Sequence, residues 1–196
     1  KSSVVHEVRH FPSMPYEEVP QLCASLWETS SNTSMFLLFT ILCGIRNGTV
    51  RQAEWNEIDL KQRIWSIPKT KNGQPWSVPL TEQMLAVLER TGRERNGYIF
   101  TQERDHTKPV SENAGNVHLK KVCRIDPTYA VTHGFRASLS GYLNNETRFS
   151  TARIEQTIEH KMRDKIEAAY NRSENISRRL ETLQVWNDYC WSKMNG

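Results

Sequence analysis

Six side chains with the means to handle a phosphate are scattered along the chain: Arg46 in Leu42-Cys-Gly-Ile-Arg46, Lys71 beside Asn72-Gly73, His133 and Arg136 in Thr132-His-Gly-Phe-Arg136, His160, and Tyr170 in Ala168-Ala-Tyr-Asn-Arg172. Together they hold what is needed to open a phosphodiester without a metal. That reaction needs a nucleophile, stabilisation of the extra negative charge on a five-coordinate phosphorus, and a proton for the departing 5′ oxygen. Arginine suits the second task, because its planar fork grips two phosphate oxygens and keeps its charge. Histidine and lysine handle protons. Tyrosine suits reversible attack, since a phosphotyrosine ester keeps the bond energy available for resealing.

Taken singly, each residue has a structural alternative. Tyr170 on an amphipathic helix reads as a packing tyrosine with its hydroxyl in solvent. Arg46 reads as a charge answering the dipole at a helix C-terminus, Lys71 as a solvated turn residue, and Arg136 as a helix-surface charge. His133 and His160 could cap helices, sit in a core, or ligate a metal, although their spacing matches no short zinc pattern and no third ligand is evident. His6, His10, His106 and His118 lack such company and are expected on the surface. Trp27, Trp55, Trp65, Trp76, Trp186 and Trp191 are expected to pack in the core for the most part, not to stack on bases. Only the ordered combination favours the chemical reading.

The elements that must position these residues follow from periodicity. Pro15 to Trp27 reads as a first helix, Thr29 to Thr33 as a loop, and Ser34 to Ile45 as a buried central helix ended by Gly44. A short helix, Val50 to Trp55, precedes three extended segments, Glu57 to Leu60, Ile64 to Ile67 and Trp76 to Leu80, which form an antiparallel sheet with Lys71 on its longest turn. Thr81 caps a helix over Glu82 to Arg90, and Tyr98 to Thr101 is a last extended piece. Helices then cover Glu112 to Cys123, His133 to Asn145, Thr151 to Glu159, Asp164 to Asn171 and Ser173 to Trp191, the last with a stripe of Ile176, Leu180, Leu183, Trp186 or Asn187, and Cys190. The fold class is therefore α+β, mainly helical with one small antiparallel sheet.

A chain of 196 residues buries one sizeable core. The apolar run from Met35 to Cys43 is too short to span a membrane, so no membrane segment is expected. Cys23, Cys43, Cys123 and Cys190 are widely spaced, and Lys1 to His10 has no signal core, which suits a reducing, cytoplasmic setting. Starting at Lys1, the sequence is expected to continue a longer polypeptide. The net charge of +4 falls between Leu119 and Arg172, where 10 Lys+Arg meet 6 Asp+Glu, which suits a face that meets phosphates.

In the order and spacing of Arg46, Lys71, Thr132-His-Gly-Phe-Arg136, His160 and Tyr170, and in the tail Arg179-Leu-Glu-Thr-Leu-Gln-Val-Trp-Asn-Asp-Tyr189, the chain resembles the tyrosine recombinases, specifically the P4-like phage and prophage integrases. The resemblance covers nearly the whole chain. It implies the tyrosine recombinase catalytic-domain fold over 1–196, with 173–196 as a C-terminal helical tail and the arm and core-binding domains absent. By resemblance, Arg46 and Arg136 clamp the scissile phosphate, and His133 handles protons one turn from Arg136. Lys71 protonates the leaving oxygen, His160 hydrogen-bonds the phosphate, and Tyr170 forms the 3′-phosphotyrosyl link. The implied partners are double-stranded DNA attachment sites, bound by a homotetramer, with the segment after Tyr170 docking on a neighbouring subunit; the isolated domain can be monomeric. The implied role is integration or excision of a prophage or genomic island in the bacterial cytoplasm, at the nucleoid, with no metal or nucleotide cofactor.

This sequence departs from the family pattern twice. Thr49 stands where the family has an acidic residue, and Glu159 where it has a small one, close to a phosphate. Either change would slow the enzyme or mark a decaying copy. Three rivals follow. A type IB topoisomerase shares the chemistry, but Lys71 in a short turn and the tail argue against it. A catalytically weakened DNA-binding module fits the two departures. A metal hydrolase predicts loss of cleavage on chelation.

Overall fold

The computed structural model describes residues 11–70, 73–91, 95–159 and 172–194. Its helices are α1 (Val19–Thr29), α2 (Asn32–Cys43), α3 (Asn47–Arg51), α4 (Glu82–Thr91), α5 (Ala114–Lys121), α6 (Phe135–Glu146), α7 (Thr151–Thr157) and α8 (Arg172–Trp191). Strands β1 (Ile58–Asp59), β2 (Ile64–Ile67) and β3 (Trp76–Pro79) form an antiparallel sheet in the order β1-β2-β3, with Trp65 opposite Val78. This is the expected class, mainly helical with one small sheet.

The central helix α2 is the hub. Every residue from Ser34 to Cys43 is buried, and α1, α4, α5 and α8 all pack against it. Burying each large apolar side chain stabilises by about 1.5–3 kcal/mol, so this one helix anchors the core. Its ends are built locally. Ser31 Oγ accepts from Ser34 N at 3.1 Å, and Gly44, at φ 62, closes the C-terminus in the left-handed conformation that glycine adopts without strain.

Several boundaries differ from expectation. The first helix begins at Val19, because Tyr16–Glu18 forms a tight 3₁₀ turn before it. The Ser/Thr/Asn run is not a loop: Thr29 ends α1, Asn32 begins α2, and a left-handed Ser30 plus the Ser31 cap make the turn. The short helix lies at Asn47–Arg51 and not at Val50–Trp55, because the Arg46 carbonyl accepts from Thr49 N and Val50 N immediately after the Gly44 break. A Glu54–Glu57 capping box then starts a separate 3₁₀ turn at Trp55–Glu57. Tyr98 to Thr101 makes isolated bridges only, Glu54 to Tyr98 and Thr101 to Pro109. α5 is shorter than expected, and α7 ends at Thr157. The helix expected over 164–171 lies outside the described residues.

His118 is a correction of another kind. It is buried on the inward face of α5 with Gly115 and Leu119, and its Nε2 sits 3.2 Å from Ser34 Oγ. Burial lowers its pKa, with a smaller opposing pull from Glu103, so it serves as a neutral core hydrogen-bonding group. His106 is exposed as expected; His6 and His10 lie outside the described residues. The tryptophans do pack: Trp55, Trp65 and Trp186 are buried, and Trp27, Trp76 and Trp191 lie against the core. All four cysteines are free, and Cys23, Cys43 and Cys190 are buried.

Helix α8 belongs to this core. Leu183, Trp186, Asn187 and Cys190 are buried, whereas Leu180, expected in the same stripe, is exposed. Trp186 Nε1 donates to Ile41 O at 2.9 Å, Asn187 Nδ2 to Thr81 Oγ1 at 2.7 Å, and Arg179 Nη1 to Ser77 O at 2.6 Å. Through these three contacts α8 is tied to α2, to the start of α4 and to β3 of its own chain.

Gly134 marks a close approach. A Cβ there would fall 2.0 Å from the Pro12 carbonyl oxygen and 2.9 Å from Ser13 Cα, and backbone cannot swing aside as a side chain can. Gly134→Ala is expected to cost about 1–3 kcal/mol, read from the urea midpoint, and to push the 11–13 segment off His133. An unchanged midpoint would refute this account of the glycine.

Candidate active site

The turn from α2 to α3 builds the site. Gly44 ends one helix and Arg46 precedes the next, so the two residues share a single bend. Arg136 enters from α6, is only 6% exposed, and donates from Nη1 to Gly44 O at 2.7 Å. A Cβ on Gly44 would meet Leu139 Cδ1 of α6 at 2.7 Å and Ile158 Cγ2 at 3.2 Å. Gly44 is thus required both for its left-handed backbone and for the close packing of α6 and the end of α7 on this bend.

The two guanidinium groups interact. The Arg136 pKa is pushed down to about 10, first by burial and then by the like charge of Arg46, while Glu159 pulls it back up. Arg136 still carries its charge at neutral pH. Two cations held together in partial burial make a site that favours an anion.

An anion is already there. Arg46 Nη1 lies 2.7 Å from Glu159 Oε2, with side chains 22% and 3% exposed. Proximity makes this an ion pair, but its angles are not those of a hydrogen bond. Among the described residues, neither Glu159 oxygen, nor Arg46 Nη1, nor Arg136 Nη2 has a hydrogen-bond partner. Glu159 sits just past α7 at φ 59, the left-handed region that glycine occupies most easily, which gives a physical reason for a small residue at this position.

A cavity of about 690 Å³ opens beside Arg46, lined also by Phe11, Thr49, Lys69, Thr70 and His133. His133 lies in a 3₁₀ turn that precedes α6, not on the helix itself, and its ring meets that of Phe11 in an edge-to-face contact at a centroid distance of 4.5 Å. Arg46, His133 and Arg136 are therefore brought together, from positions 87 or more residues apart for the first and the other two. Lys71, His160 and Tyr170 lie outside the described residues. Their neighbours are placed, however: Thr70 lines the cavity, Glu159 pairs with Arg46, and Arg172 begins α8. The carbonyl of Gly44 as an anchor for Arg136, and Lys69 and Phe11 as cavity walls, had no signal in the sequence beyond the glycine that ends α2.

The fold is shared with two solved structures. The integrase from mycobacterium phage Brujita superposes with a TM-score of 0.65 at 17% identity, over 94% of this chain and 60% of that one. XerA recombinase superposes with a TM-score of 0.56 at 13% identity, over 98% of this chain and 65% of that one. A model of the phage integrase family matches residues 12–175, and the chain belongs to that family. Among its relatives are the integrase of Enterobacteria phage P4, 28% identical over 203 residues, covering 93% of this chain and 46% of that protein. Another is prophage integrase IntA of Escherichia coli, 30% identical over 197 residues, covering 96% of this chain and 46% of that protein. The chain spans about half the length of these relatives.

Proposed function

We propose that this chain is the catalytic domain of a tyrosine-type site-specific DNA recombinase, working through a 3′-phosphotyrosyl intermediate on Tyr170. The observation that carries the reading is the junction of Arg46 and Arg136 at the Gly44 bend, two cations converging beside a cavity that also holds His133. In the proposed reaction the Tyr170 hydroxyl oxygen bonds to the scissile phosphorus and the bond to the 5′ oxygen breaks. His133 handles the phenolic proton, Lys71 gives a proton to the leaving oxygen, and His160 hydrogen-bonds the phosphate. Arg46 and Arg136 neutralise the charge that develops between attack and departure. The free 5′ hydroxyl of a partner strand then reverses these steps, so neither a metal nor a nucleotide cofactor is required.

Residues 1–196 would form this domain, with 173–196 as a tail integral to it, and the arm and core-binding domains would belong to the rest of a longer protein. The full protein would act as a tetramer on two attachment sites, integrating or excising a prophage or genomic island at the nucleoid. Its P4-phage and prophage relatives, named integrases, support that role. No described helix is long and apolar enough to cross a membrane. A second reading, a catalytically weakened DNA-binding remnant, draws support from the carboxylate of Glu159 on Arg46.

Nicked duplexes from both ends of the element carrying the gene separate the two. The favoured reading expects a covalent protein-DNA adduct on a denaturing gel, insensitive to chelator, with the DNA mapped by mass spectrometry to the peptide containing Tyr170. Tight binding with no adduct supports the remnant instead.

A further inference from the structure

We infer that the Glu159 carboxylate occupies the seat of the scissile phosphate and competes with it, so that an incoming oxyanion must displace it before the two arginines can close on the substrate. Calling the displaced ligand a DNA phosphate rests on the recombinase reading; the competition itself does not.

The carboxylate is where a bound anion would be. Glu159 Oε2 is 2.7 Å from Arg46 Nη1, and the charge of Glu159 acts on Arg136 as a stabilising partner. A guanidinium fork recognises carboxylate and phosphate oxygens through the same geometry, so one group can stand in for the other. Burial sharpens the point. A carboxylate that is 3% exposed is tolerated only beside compensating charge, and here that charge is the arginine pair. Its backbone is also held at φ 59, where a side chain adds strain, while the neighbouring Ile158 stays buried against the core.

The contact is suited to exchange. It lacks the directed hydrogen bonds that would lock it, since neither carboxylate oxygen has such a partner among the described residues. With Glu159 in place the two arginines face a ligand with a joint charge of about +1; without it they offer about +2. A phosphate entering beside the retained carboxylate would meet a like charge at close range in a partly dry site, where Coulomb repulsion is strong. Glu159 therefore sets the affinity of the site for anions, and it lowers that affinity.

Inorganic phosphate is the probe, because its binding requires no chemistry. Its dissociation constant would be measured by thermal shift on the wild-type chain, Glu159→Gln and Glu159→Gly, the last suiting the left-handed backbone and guarding against misfolding. Both variants are expected to bind phosphate at least about tenfold more tightly, and Arg46→Gln added to Glu159→Gln should erase the gain. Affinities within about twofold of wild type in both variants, or a gain that persists without Arg46, would overturn the inference. Adduct formation on the nicked duplex distinguishes this failure from that of the recombinase reading. Tighter phosphate binding with no adduct in any form sinks the recombinase and leaves the competition standing; a robust adduct with unchanged phosphate affinity does the reverse.

Discussion

Arg136→Gln is expected to reduce covalent adduct formation by about 10³-fold or more, while costing only about 1–3 kcal/mol of stability. The asymmetry follows from what Arg136 does. Its Nη1 donates to Gly44 O at 2.7 Å, holding the bend that carries Arg46, and glutamine is too short to replace that contact. The buried carbonyl would lose its partner, which accounts for the stability cost. Against that loss, Arg136 is itself disfavoured by burial and by the like charge of Arg46, so its removal relieves some repulsion and leaves Arg46 and Glu159 as a neutral pair. Chemistry has no such compensation: a neutral pair offers nothing to a phosphorane. Arg136→Lys should fall between, keeping the charge without the fork. Single-turnover adduct rates and urea midpoints on the same preparations test the split, and a Gln variant within about tenfold of the wild-type rate would remove Arg136 from the phosphate site.

Much of the scaffold was legible before any coordinates, for reasons that differ by element. The run from Ser34 to Cys43 is apolar nearly all round, and only a central buried helix accommodates that; β2 alternates, and pairs as alternation predicts. Helix α3 lies earlier than the side-chain pattern predicts because its start depends on the Arg46 carbonyl, a backbone group that no such pattern reports. The burial of His118 departs from expectation because a single histidine on a short helix carries no sign of which face turns inward. For the site, the types and order of Arg46, His133 and Arg136 suggest one group, and Arg46 and His133 do line one cavity, yet the burial of Arg136 has no sign in the sequence, where an arginine in isolation reads as a surface charge. Glu159 is out of the family pattern by sequence alone. That it turns in to meet Arg46, over a left-handed backbone, is a fact of tertiary geometry.

Trp186→Ala is expected to destabilise the protein by about 3–5 kcal/mol, a large part of a typical domain's stability. Trp186 is fully buried and its Nε1 donates to Ile41 O, so truncation leaves both a large void beside α2 and an orphaned carbonyl within it. The effect should reach the chemistry. Arg172 opens α8 two residues after Tyr170, and α7, which ends just before Glu159, is tied to α8 through Arg153, whose Nη2 meets Glu181 Oε2 at 2.7 Å. Both ends of the segment bearing Tyr170 are therefore fastened to helices that pack on each other, and α8 takes its own position from Trp186. Loosening that anchor should slow adduct formation beyond the fraction of molecules unfolded. Should Trp186→Ala prove too unstable to purify, Trp186→Phe loses the hydrogen bond with a smaller void and should cost about 1–3 kcal/mol. A cost well under 1 kcal/mol for both variants would mean that α8 is not core structure.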